Sequence, residues 1–598
     1  MKITRMKISN FRGIKTSELF FPNQVVLVGD NNSGKSTILE AIDLVLGPER
    51  LSRHPIIDEH DFYAGRYLDA ENNSIDINIE VVVVGLTFDQ ELHFRNHLEF
   101  WDEAQNQLLE GPPPSATDRE TVCTALRLGF RGYYDFEEDD FFGETHFLSP
   151  ASLESGSYEK LGARDKRKIG FLYLRTLRTG RRALSLEKGS LLDIILKLKE
   201  IRPQMWEDVL SKLHEVSVAT DPELGISDIL RSVQDAVRKI VPVECADSPS
   251  LKVSSLTRDH LRQVLTVFMG TGVHDENGSE YLAPFTHQGT GTINTLVLTL
   301  LSMIAELKQN VIFAMEEPEI AIPPHTQKRV ISSVISKSSQ AIFTSHSPYI
   351  LEEFIPAQIL SISRNDGILT GCPVKLPPNV KEKAYRDEVK RRFCEAVLSR
   401  RVLIVEGRTE YDAIRAVSKR LEDLDSDKYL SLDGLGISIV DAQTDSQVIP
   451  LGEYFRELGK TTYAIFDKQD AESSVQISDF VDYSYESQEK GMENVILNGS
   501  KADALKRYAL SLVTESEWPS HLSTNAPSAA MTDDGIKSSL RLFFKGNKGA
   551  GVIADFLSQC SREEMPKYLV DTIEAIHGTI STHFAEETDI IEIAEEGD

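Results

Sequence analysis

The chain has 598 residues, of which 41% are hydrophobic and 26% charged, and 93 acidic against 65 basic side chains give a net charge of −28. This composition predicts a globular protein of several domains, and it excludes a membrane-spanning chain because no apolar run approaches the roughly 20 residues that a bilayer requires. The five scattered cysteines form no CxxC pair and the N-terminus lacks a signal peptide, which predicts a cytoplasmic location and argues against structural zinc.

The acidic net charge leaves two interpretations open. Either the protein has no nucleic-acid role, or its acids gather around metal ions while basic strips elsewhere contact phosphates. Two strips are candidates, and each also fits a solvated helix face. They comprise Arg164, Lys166, Arg167, Lys168, Arg175, Arg178, Arg181 and Arg182 in the first, and Lys381, Lys383, Arg386, Lys390, Arg391, Arg392, Arg400 and Arg401 in the second.

The first part of the chain predicts an α/β arrangement. Residues 1–50 read as strand, turn, strand, loop and helix, with a buried strand at Val25–Val28 and a helix at Ser36–Leu46. Residues 75–84 predict another strand, and residues 100–160 predict loops. The spacing of apolar residues between 190 and 240 predicts a helical arm inserted into this first domain.

The second part predicts further strands and a domain boundary. Apolar strands are expected at Val311–Ala314 and Ala341–Thr344, and a proline-rich linker at Cys372–Val380. A second α/β domain then starts near residue 395 with the strand Arg401–Val405.

A glycine-rich loop follows the strand at Val25–Val28. Gly29-Asp-Asn-Asn-Ser-Gly-Lys-Ser36 fits the pattern G-x-x-x-x-G-K-[ST] between a strand and a helix, and this context predicts a phosphate-binding loop. Lys35 is expected to reach the β- and γ-phosphates of ATP, and Ser36 to ligate Mg²⁺. The residues predicted to bind the nucleotide here are Gly29, Asn32, Gly34, Lys35, Ser36 and Thr37.

Acids and a histidine follow the next two strands. Glu316 and Glu317 end the segment Val311-Ile-Phe-Ala-Met-Glu-Glu-Pro318, so we expect Glu316 beside Mg²⁺ and Glu317 polarising the attacking water. His346, in Thr344-Ser-His-Ser-Pro348, is placed to sense the γ-phosphate. A structural role for this histidine is the alternative.

These motifs resemble those of the ABC-type, SMC-like ATPases. The resemblance implies that Glu316 and Glu317 form the Walker B motif, Glu319–His325 the D-loop, and that His346 is the switch histidine. His287-Gln-Gly-Thr-Gly-Thr292 is similar to a degenerate signature motif, which makes Gly289 and Gly291 nucleotide contacts. Because the signature of one protomer completes its partner's site in this class, a dimer is implied. No clear Q-loop glutamine is present, and Asp61 is a weak substitute.

The second domain contains acids at two strand ends. Glu406 follows the strand Arg401–Val405, Glu410 lies one helical turn later, and Asp467 follows an apolar strand at 462–466. Asp470 and Glu493 are further candidates. Clustered carboxylates repel unless cations neutralise them, so two Mg²⁺ or Mn²⁺ ions are expected, which suits phosphodiester cleavage. The alternative is that each acid caps a helix.

This second arrangement resembles a Toprim domain. An SMC-like ATPase followed by Toprim resembles the OLD (overcoming lysogenization defect) family, including the Gabija nuclease subunit and retron-associated OLD effectors. The implied fold is an α/β ABC-type ATPase with an inserted helical dimerisation arm, followed by a Rossmann-like Toprim domain. The expected boundaries are an ATPase domain of residues 1–165 and 250–372, an insertion of 166–249, a linker of 373–394 and a Toprim domain of 395–598.

One acid of the family pattern is missing. The usual Asp-x-Asp is here Asp467-Lys-Gln-Asp470, which puts Gln469 at the second acidic position, and Asp470 is expected to compensate or the metal is held less firmly. The resemblance also implies that Lys548 stabilises charge on the scissile phosphate, with Lys545 in reserve and ordinary solubility as the alternative.

The resemblance therefore implies an ATP-regulated, divalent-metal-dependent endonuclease that nicks or cuts double-stranded DNA in defence against phage. A homodimer or homotetramer is expected, with a helicase or a reverse transcriptase and its RNA–DNA product as possible partners. The alternatives are an SMC-like DNA-repair ATPase with a non-catalytic Toprim domain, and a Toprim primase or topoisomerase.

Overall fold

The structure is a computed structural model that divides into two compact units, Met1–Gly371 and Cys372–Asp598. The residues that it describes are 1–48, 50, 56–109, 111, 121–150, 158–174, 185–186, 190–199, 202–215, 226–238, 257–276, 278–289, 292–293, 296–297, 299–300, 303–304, 311–319, 324–375, 390–547 and 551–580. Within these ranges, no helix combines the length and the apolar character needed to cross a membrane.

The first unit is built on a large mixed sheet. The strands of this unit are β1 (Lys2–Phe11), β2 (Ile14–Phe20), β3 (Gln24–Val28), β4 (Ile77–Val84), β5 (Leu98–Asp102), β6 (Gln107–Leu109), β7 (Val122–Asp135), β8 (Asp140–Phe147), β9 (Phe171–Leu174), β10 (Phe268–His274), β11 (Glu280–Pro284), β12 (Ile312–Glu316), β13 (Gln340–Thr344), β14 (Ile359–Asn365) and β15 (Ile368–Pro373). Among the described residues the large sheet has 13 of these strands, in the order β6-β5-β7-β4-β1-β2-β15-β14-β3-β13-β12-β9 with β8 beside β7. Strands β10 and β11 form a separate hairpin.

Pairing within this sheet changes from antiparallel to parallel along its width. Strands β1, β4, β5 and β7 pair antiparallel, whereas β14, β3, β13, β12 and β9 pair parallel. Parallel strands are buried on both faces and read as continuous apolar runs, as β3 and β13 do. Their carboxyl ends therefore share one edge, which is where the candidate nucleotide residues follow.

Helices cover this sheet. They are α1 (Lys35–Leu46), α2 (Phe88–His93), α3 (Ala163–Ile169), α4 (Leu191–Leu198), α5 (Arg202–Glu215), α6 (Ile226–Arg238), α7 (Arg258–Val264), α8 (Pro324–Lys337) and α9 (Pro348–Leu351). Helix α1 packs against β4, β7, β9 and β12, and its residues Ile38, Leu39 and Ile42 are fully buried in the main core. The helix after the glycine loop is therefore fixed to both halves of the sheet.

Two expectations for this unit are wrong. Residues 100–160 were expected to be loops, but β7 and β8 pair over eight positions there, and residues 136–139 of the acidic run Asp135–Asp140 form the turn between them. Glycine and polar residues on half-buried strands interrupt the alternation that would have revealed them. The predicted insertion at 166–249 also starts too early, since β9 pairs with β12 in the large sheet and Ile169 of α3 is buried in the core of this unit.

Lys166 belongs to the first basic strip of the sequence, yet its side chain is fully buried. Its Nζ donates to the carbonyl oxygen of Leu44 at 3.0 Å. Burial lowers the pKa of Lys166 to about 7. Lys166 is thus an internal contact to the last turn of α1 and not a surface contact for phosphate.

The described residues of the second unit contain four parallel strands, β16 (Arg401–Val405), β17 (Ile437–Asp441), β18 (Thr461–Phe466) and β19 (Tyr483–Glu486). They form one sheet in the order β17-β16-β18-β19. Its helices are α10 (Lys390–Leu398), α11 (Arg408–Leu424), α12 (Val448–Glu457), α13 (Ala471–Phe480), α14 (Met492–Gly499), α15 (Ala502–Thr514), α16 (Asp533–Gly546), α17 (Val552–Ser558) and α18 (567–580). Helix α10 begins inside the predicted linker 373–394, so that boundary is corrected to end before Lys390.

Candidate functional site

The glycine loop joins β3 to α1 and requires both of its glycines. Gly29 has φ 150° and Gly34 has φ 102°, which are conformations that other residues rarely adopt. A Cβ on Gly29 would lie 2.3 Å from the Ile362 oxygen, and one on Gly34 would lie 2.6 Å from the Leu369 Cδ1. No side chain in the described part of the protein caps the N-terminus of α1, so its first N–H groups are suited to an anion.

Lys35 lies over this loop. Its Nζ donates to the carbonyl oxygens of Gly29 at 2.9 Å and Asp30 at 2.7 Å, and only 7% of the residue is exposed. Burial lowers the pKa of Lys35, while Asp30 and Glu317 act in the opposite direction. The ammonium is thus held at the loop, where the phosphates of a nucleotide would compete with the two carbonyl groups.

The Walker B candidates lie at the end of β12. Glu316 Oε1 accepts a hydrogen bond from the Tyr173 hydroxyl at 2.6 Å. Glu317 has φ 41°, and its N–H donates to the Thr344 oxygen at 3.0 Å. This strained position turns the chain sharply after β12. The adjacent acids are therefore fixed by different strands.

His346 follows β13 and lies in the same electrostatic environment. Burial lowers the pKa of His346 and Lys35 lowers it further, whereas Glu317 opposes both effects. Glu319 holds this segment, because its Oε1 accepts from the His346 N–H at 2.6 Å and from the Ser345 Oγ at 3.0 Å. The structure thus brings Lys35, Glu317 and His346 together, and Glu319 is a contact that the sequence pattern did not reveal.

Other nucleotide candidates are less directly placed. Asn32 is exposed with φ 70°, and Ser36 and Thr37 lie in the first turn of α1. The Gly289 oxygen accepts from the Thr292 N–H at 3.0 Å, and Gly291 lies outside the described residues. Their signature role stays a prediction.

Asp61 serves a different contact from the one expected of a Q-loop residue. Its Oδ1 accepts from Arg12 Nε at 2.7 Å and its Oδ2 from the Asp58 N–H at 3.2 Å. Arg12 also pairs with Glu40 of α1 at 2.5 Å. Asp61 therefore joins a turn to the glycine-loop helix through Arg12.

Acids terminate every strand of the second sheet. Asp441 ends β17, Glu406 follows β16, Asp467 follows β18 and Glu486 ends β19. Since these strands are parallel, the four acids lie at one edge of the sheet. The sequence did not reveal Glu486, because its strand is only four residues long and carries Tyr-Ser-Tyr before the acid.

Hydrogen bonds connect the central residues of this edge. Glu406 Oε1 accepts from the Asp467 N–H and from Gln469 Nε2, each at 3.0 Å. Asp467 Oδ2 accepts from the Gly491 N–H at 2.6 Å, and Gly491 has φ 87°. Gln469, at the position of the missing acid, is thus a donor to Glu406.

Glu410 and Glu493 complete this acidic group. Glu410 lies in the first turn of α11, and burial raises its pKa to about 7, with further contributions from Asp467, Glu406 and Glu493. Glu493 is 6% exposed in the first turn of α14. Burial and Asp467 likewise raise the pKa of Glu406. Four of the predicted residues therefore share one electrostatic environment.

Asp470 is not brought into this group. It caps α13, since its Oδ1 accepts from the Ser473 N–H at 2.9 Å and its Oδ2 accepts from the Ser473 hydroxyl at 3.0 Å. These contacts lower the pKa of Asp470. The helix-cap interpretation describes this residue, and its compensation for Gln469 is not observed.

The predicted lysine segment is described only on either side of Lys548, which lies outside the described residues, as do 549 and 550. Lys545 is exposed in the last turn of α16. Asn547 and Gly551 line a narrow cavity with Thr409 and Asp412 of α11. Both flanks of this segment thus lie beside the helix that carries Glu410.

A divalent cation requires several oxygen donors that are directed at one point. Among the described residues, no three or more His, Cys, Asp or Glu side chains converge as a ready metal site. Glu406 and Asp467 instead direct oxygens to backbone N–H groups. The chemistry nevertheless fits, because four carboxylates share an environment that raises the pKa of Glu410 to about 7. Glu406, Glu410, Asp467 and Glu493 are the residues that would hold the ion.

The fold and these sites define a P-loop nucleotide-binding protein with a second, acidic α/β domain. The family described as AAA ATPase domain matches residues 1–169 and 178–351, more than half of the chain, and the chain belongs to this family. The TOPRIM domain described as overcoming lysogenization defect protein-like matches residues 397–468. The resemblance to the OLD family and the predicted two-domain α/β fold class are thereby confirmed.

Two curated relatives are named as OLD nucleases. The OLD nuclease of Thermus scotoductus (strain ATCC 700910 / SA-01) is 22% identical over 452 residues, covering 70% of this chain and 74% of that protein. The Old nuclease of Escherichia phage P2 is 22% identical over 454 residues, covering 70% of each. Among solved structures, an SmcHead bound to the C-winged helix domain of ScpA is 14% identical, covers 63% of this chain and 99% of that chain, and has a TM-score of 0.34.

Proposed function

We propose that this protein is a DNA endonuclease that depends on Mg²⁺ or Mn²⁺ and is regulated by ATP. The observation that carries the proposal is the acidic edge of the second sheet, where the half-buried Glu406, Glu410 and Asp467 and the buried Glu493 share one electrostatic environment. Raised pKa values of grouped carboxylates are typical of sites that bind cations or transfer protons. The curated relatives named as OLD nucleases support the same reaction class.

The proposed chemistry follows from the residues at this edge. Divalent ions, two by our proposal, would supply a metal-activated water and charge to stabilise the leaving oxygen. Glu410, whose pKa burial raises to about 7, would be one of their ligands and is partly protonated near neutral pH in the metal-free protein. Glu406 is oriented by the Asp467 N–H and Gln469. Lys548 would stabilise charge on the scissile phosphate.

ATP binding is proposed to control the enzyme through its oligomer. The glycine loop and Lys35 would hold the phosphates, Ser36 and Glu316 would ligate one Mg²⁺, and Glu317 and His346 would face the γ-phosphate. Gly289 and Gly291 would complete the site of a partner protomer in a homodimer or homotetramer. The proposed dimerising arm begins after Leu174, where β9 ends.

Supercoiled plasmid tests the nuclease directly. The full-length protein is incubated with plasmid and Mg²⁺ or Mn²⁺, and nicked and linear products are measured. We expect Glu406→Ala to reduce the cleavage rate by at least about 100-fold, because the central acid is lost. Glu453→Ala, an exposed change on α12, is the matched control and should cleave like the wild type. Equal cleavage by the wild type and Glu406→Ala would refute the proposal.

The second candidate is an SMC-like DNA-repair ATPase whose Toprim domain is not catalytic. Two observations favour it: Gln469 replaces an acid, and Asp470 caps a helix instead of facing the acidic group. ATP hydrolysis stimulated by DNA without plasmid cleavage, at any concentration of either metal, would establish this candidate.

The biological setting is proposed as defence against phage. Expression of the wild-type chain in a host should then lower phage plating, and Glu406→Ala should restore it. Co-purification with a helicase, or with a reverse transcriptase and its RNA–DNA product, would identify the partner.

A further inference from the structure

Tyr173 connects a neighbouring strand to the first Walker B acid. It lies on β9, which pairs parallel with β12 so that Tyr173 is opposite Ala314 and Leu174 is opposite Met315. The hydroxyl of Tyr173 is 2.6 Å from Glu316 Oε1, although the two residues are 143 positions apart in the sequence. The phenol donates and the carboxylate accepts, which is a short, charge-assisted hydrogen bond.

We propose that Tyr173 is a positioning residue for Glu316, and this inference rests on the proposed ATP–Mg²⁺ function. A carboxylate at a strand end can rotate about three side-chain bonds, and a bond to one oxygen restricts that rotation. With Oε1 held by Tyr173, the orientation of the Glu316 carboxylate relative to a nucleotide-bound cation is restricted. Hydrogen bonds of this kind orient metal ligands and raise metal affinity.

The neighbouring acid is held independently. Glu317 is fixed through its backbone, since its N–H donates to the Thr344 oxygen at 3.0 Å and lies 3.3 Å from the Thr344 Oγ1. The negative charge of Glu317 acts to raise the pKa values of Lys35 and His346, in opposition to burial. Removal of the Tyr173 hydroxyl should therefore disturb Glu316, the proposed Mg²⁺ ligand, and leave Glu317, the acid proposed to polarise the attacking water, in place.

The experiment compares ATP binding with and without Mg²⁺ in the full-length protein. Tyr173→Phe keeps the ring and removes only the hydroxyl. We expect about tenfold more free Mg²⁺ for half-maximal ATP binding by calorimetry, with unchanged affinity for ATP in EDTA and an unchanged Tm. Tyr134→Phe removes a similar bond, from Tyr134 to Asp139 at 2.5 Å on the β7–β8 hairpin, and should match the wild type.

A double variant isolates the contact. In a Glu316→Gln background, Tyr173→Phe should produce no further change in Mg²⁺ dependence, because the acid that it positions is already altered. A further change in that background, an unshifted Mg²⁺ requirement in the single variant, or equal losses with and without Mg²⁺ would overturn the inference. Failure of the wild type to bind ATP would instead refute the proposed function of the loop.

Discussion

The glycine loop of the first unit and the acidic edge of the second occupy equivalent places, at the carboxyl ends of parallel strands, yet they are built for opposite charges. The loop offers N–H groups and the Lys35 ammonium, which are suited to phosphates. The acidic edge offers carboxylates whose pKa values are raised by burial and mutual repulsion. Backbone geometry provides the place in each case, and the residue that follows each strand determines which ion is accepted.

The two regions also differ in how their charged groups are satisfied without ligands. Lys35 is hydrogen-bonded to carbonyl groups of its own loop. The pKa of Glu410 is raised by burial and by three neighbouring acids, so protonation of Glu410 removes its repulsion from those acids. The backbone conformation of the glycine loop therefore suits it to an anion, whereas repulsion among the carboxylates suits the acidic edge to a cation.

The largest expected effect tests whether the regions act separately in binding. Lys35→Ala should weaken ATP binding by at least about 100-fold, since the phosphate-facing ammonium is lost. Mn²⁺ binding measured with EDTA-treated protein in the absence of ATP should not change. Lys7→Ala, which removes an exposed ion pair with Glu18, is the control for ATP affinity. Unchanged ATP affinity in Lys35→Ala would remove the nucleotide assignment.

The pH dependence of stability sharpens the contrast at the acidic edge. An acid whose folded-state pKa is raised from 4.5 to about 7 keeps its proton longer when folded. Its contribution to the free energy of unfolding therefore decreases as pH rises between these values and stays low above pH 7. Glu410→Gln should raise the stability of the metal-free protein by about 1 to 3 kcal/mol at pH 8 and leave it unchanged at pH 4.

Calorimetric unfolding of the metal-free protein measures this difference, and Glu453→Gln is the matched control because that residue is exposed on α12. A Glu410→Gln variant that is equally stabilised at both pH values would show that charge repulsion at this edge is not the cause.

A change at the missing acid tests how strongly the edge binds cations. Gln469→Asp adds a carboxylate beside Glu406, where the present amide donates a hydrogen bond. We expect Mn²⁺ to bind about tenfold more tightly, and the metal-free protein to become less stable at pH 8. Gln476→Asp adds the same charge on an exposed position of α13 and should do neither. Weaker Mn²⁺ binding in Gln469→Asp would contradict the cation assignment.

The smallest effect concerns Asp470. Because Oδ1 of Asp470 accepts from N–H groups of α13 and its Oδ2 from the Ser473 hydroxyl, Asp470→Ala should lower the Tm slightly and leave Mn²⁺ affinity unchanged. Asp470→Ser retains a capping oxygen and should recover most of the stability. A tenfold loss of Mn²⁺ affinity in both variants would return Asp470 to the metal site.

The sequence predicted the parts of both regions that depend on local pattern. Strands β3, β12, β16 and β18 are mostly apolar. The candidate residues follow these strands at short spacings, as Glu406 and Glu410 follow β16. The contacts made by side chains from distant strands were not predictable. Tyr173 reaches Glu316 across 143 positions, and Glu486 enters the acidic edge only through the pairing of β19 with β18.

Long strands with half-buried, polar residues were also missed, because their stability comes from cross-strand packing instead of from an alternating pattern. The β7–β8 pair is the main example, with glycines at 129, 132 and 143 lying close to Leu148, Ile57 and Phe130. Burial of Lys166 was unpredictable for the same reason, since its partner is a carbonyl 122 positions earlier.

The contact of Lys166 with Leu44 has an electrical consequence for the glycine loop. Peptide dipoles along α1 add up to a partial negative charge at its last turn and a partial positive charge at its first. Lys166, whose pKa burial lowers to about 7, places a positive charge at the last turn when it is protonated, while the positive pole at Gly34 has no cap from a described side chain. Below that pH, the charge that offsets the negative pole of α1 comes from 122 positions beyond Leu44 in the sequence, on a residue that solvent does not reach.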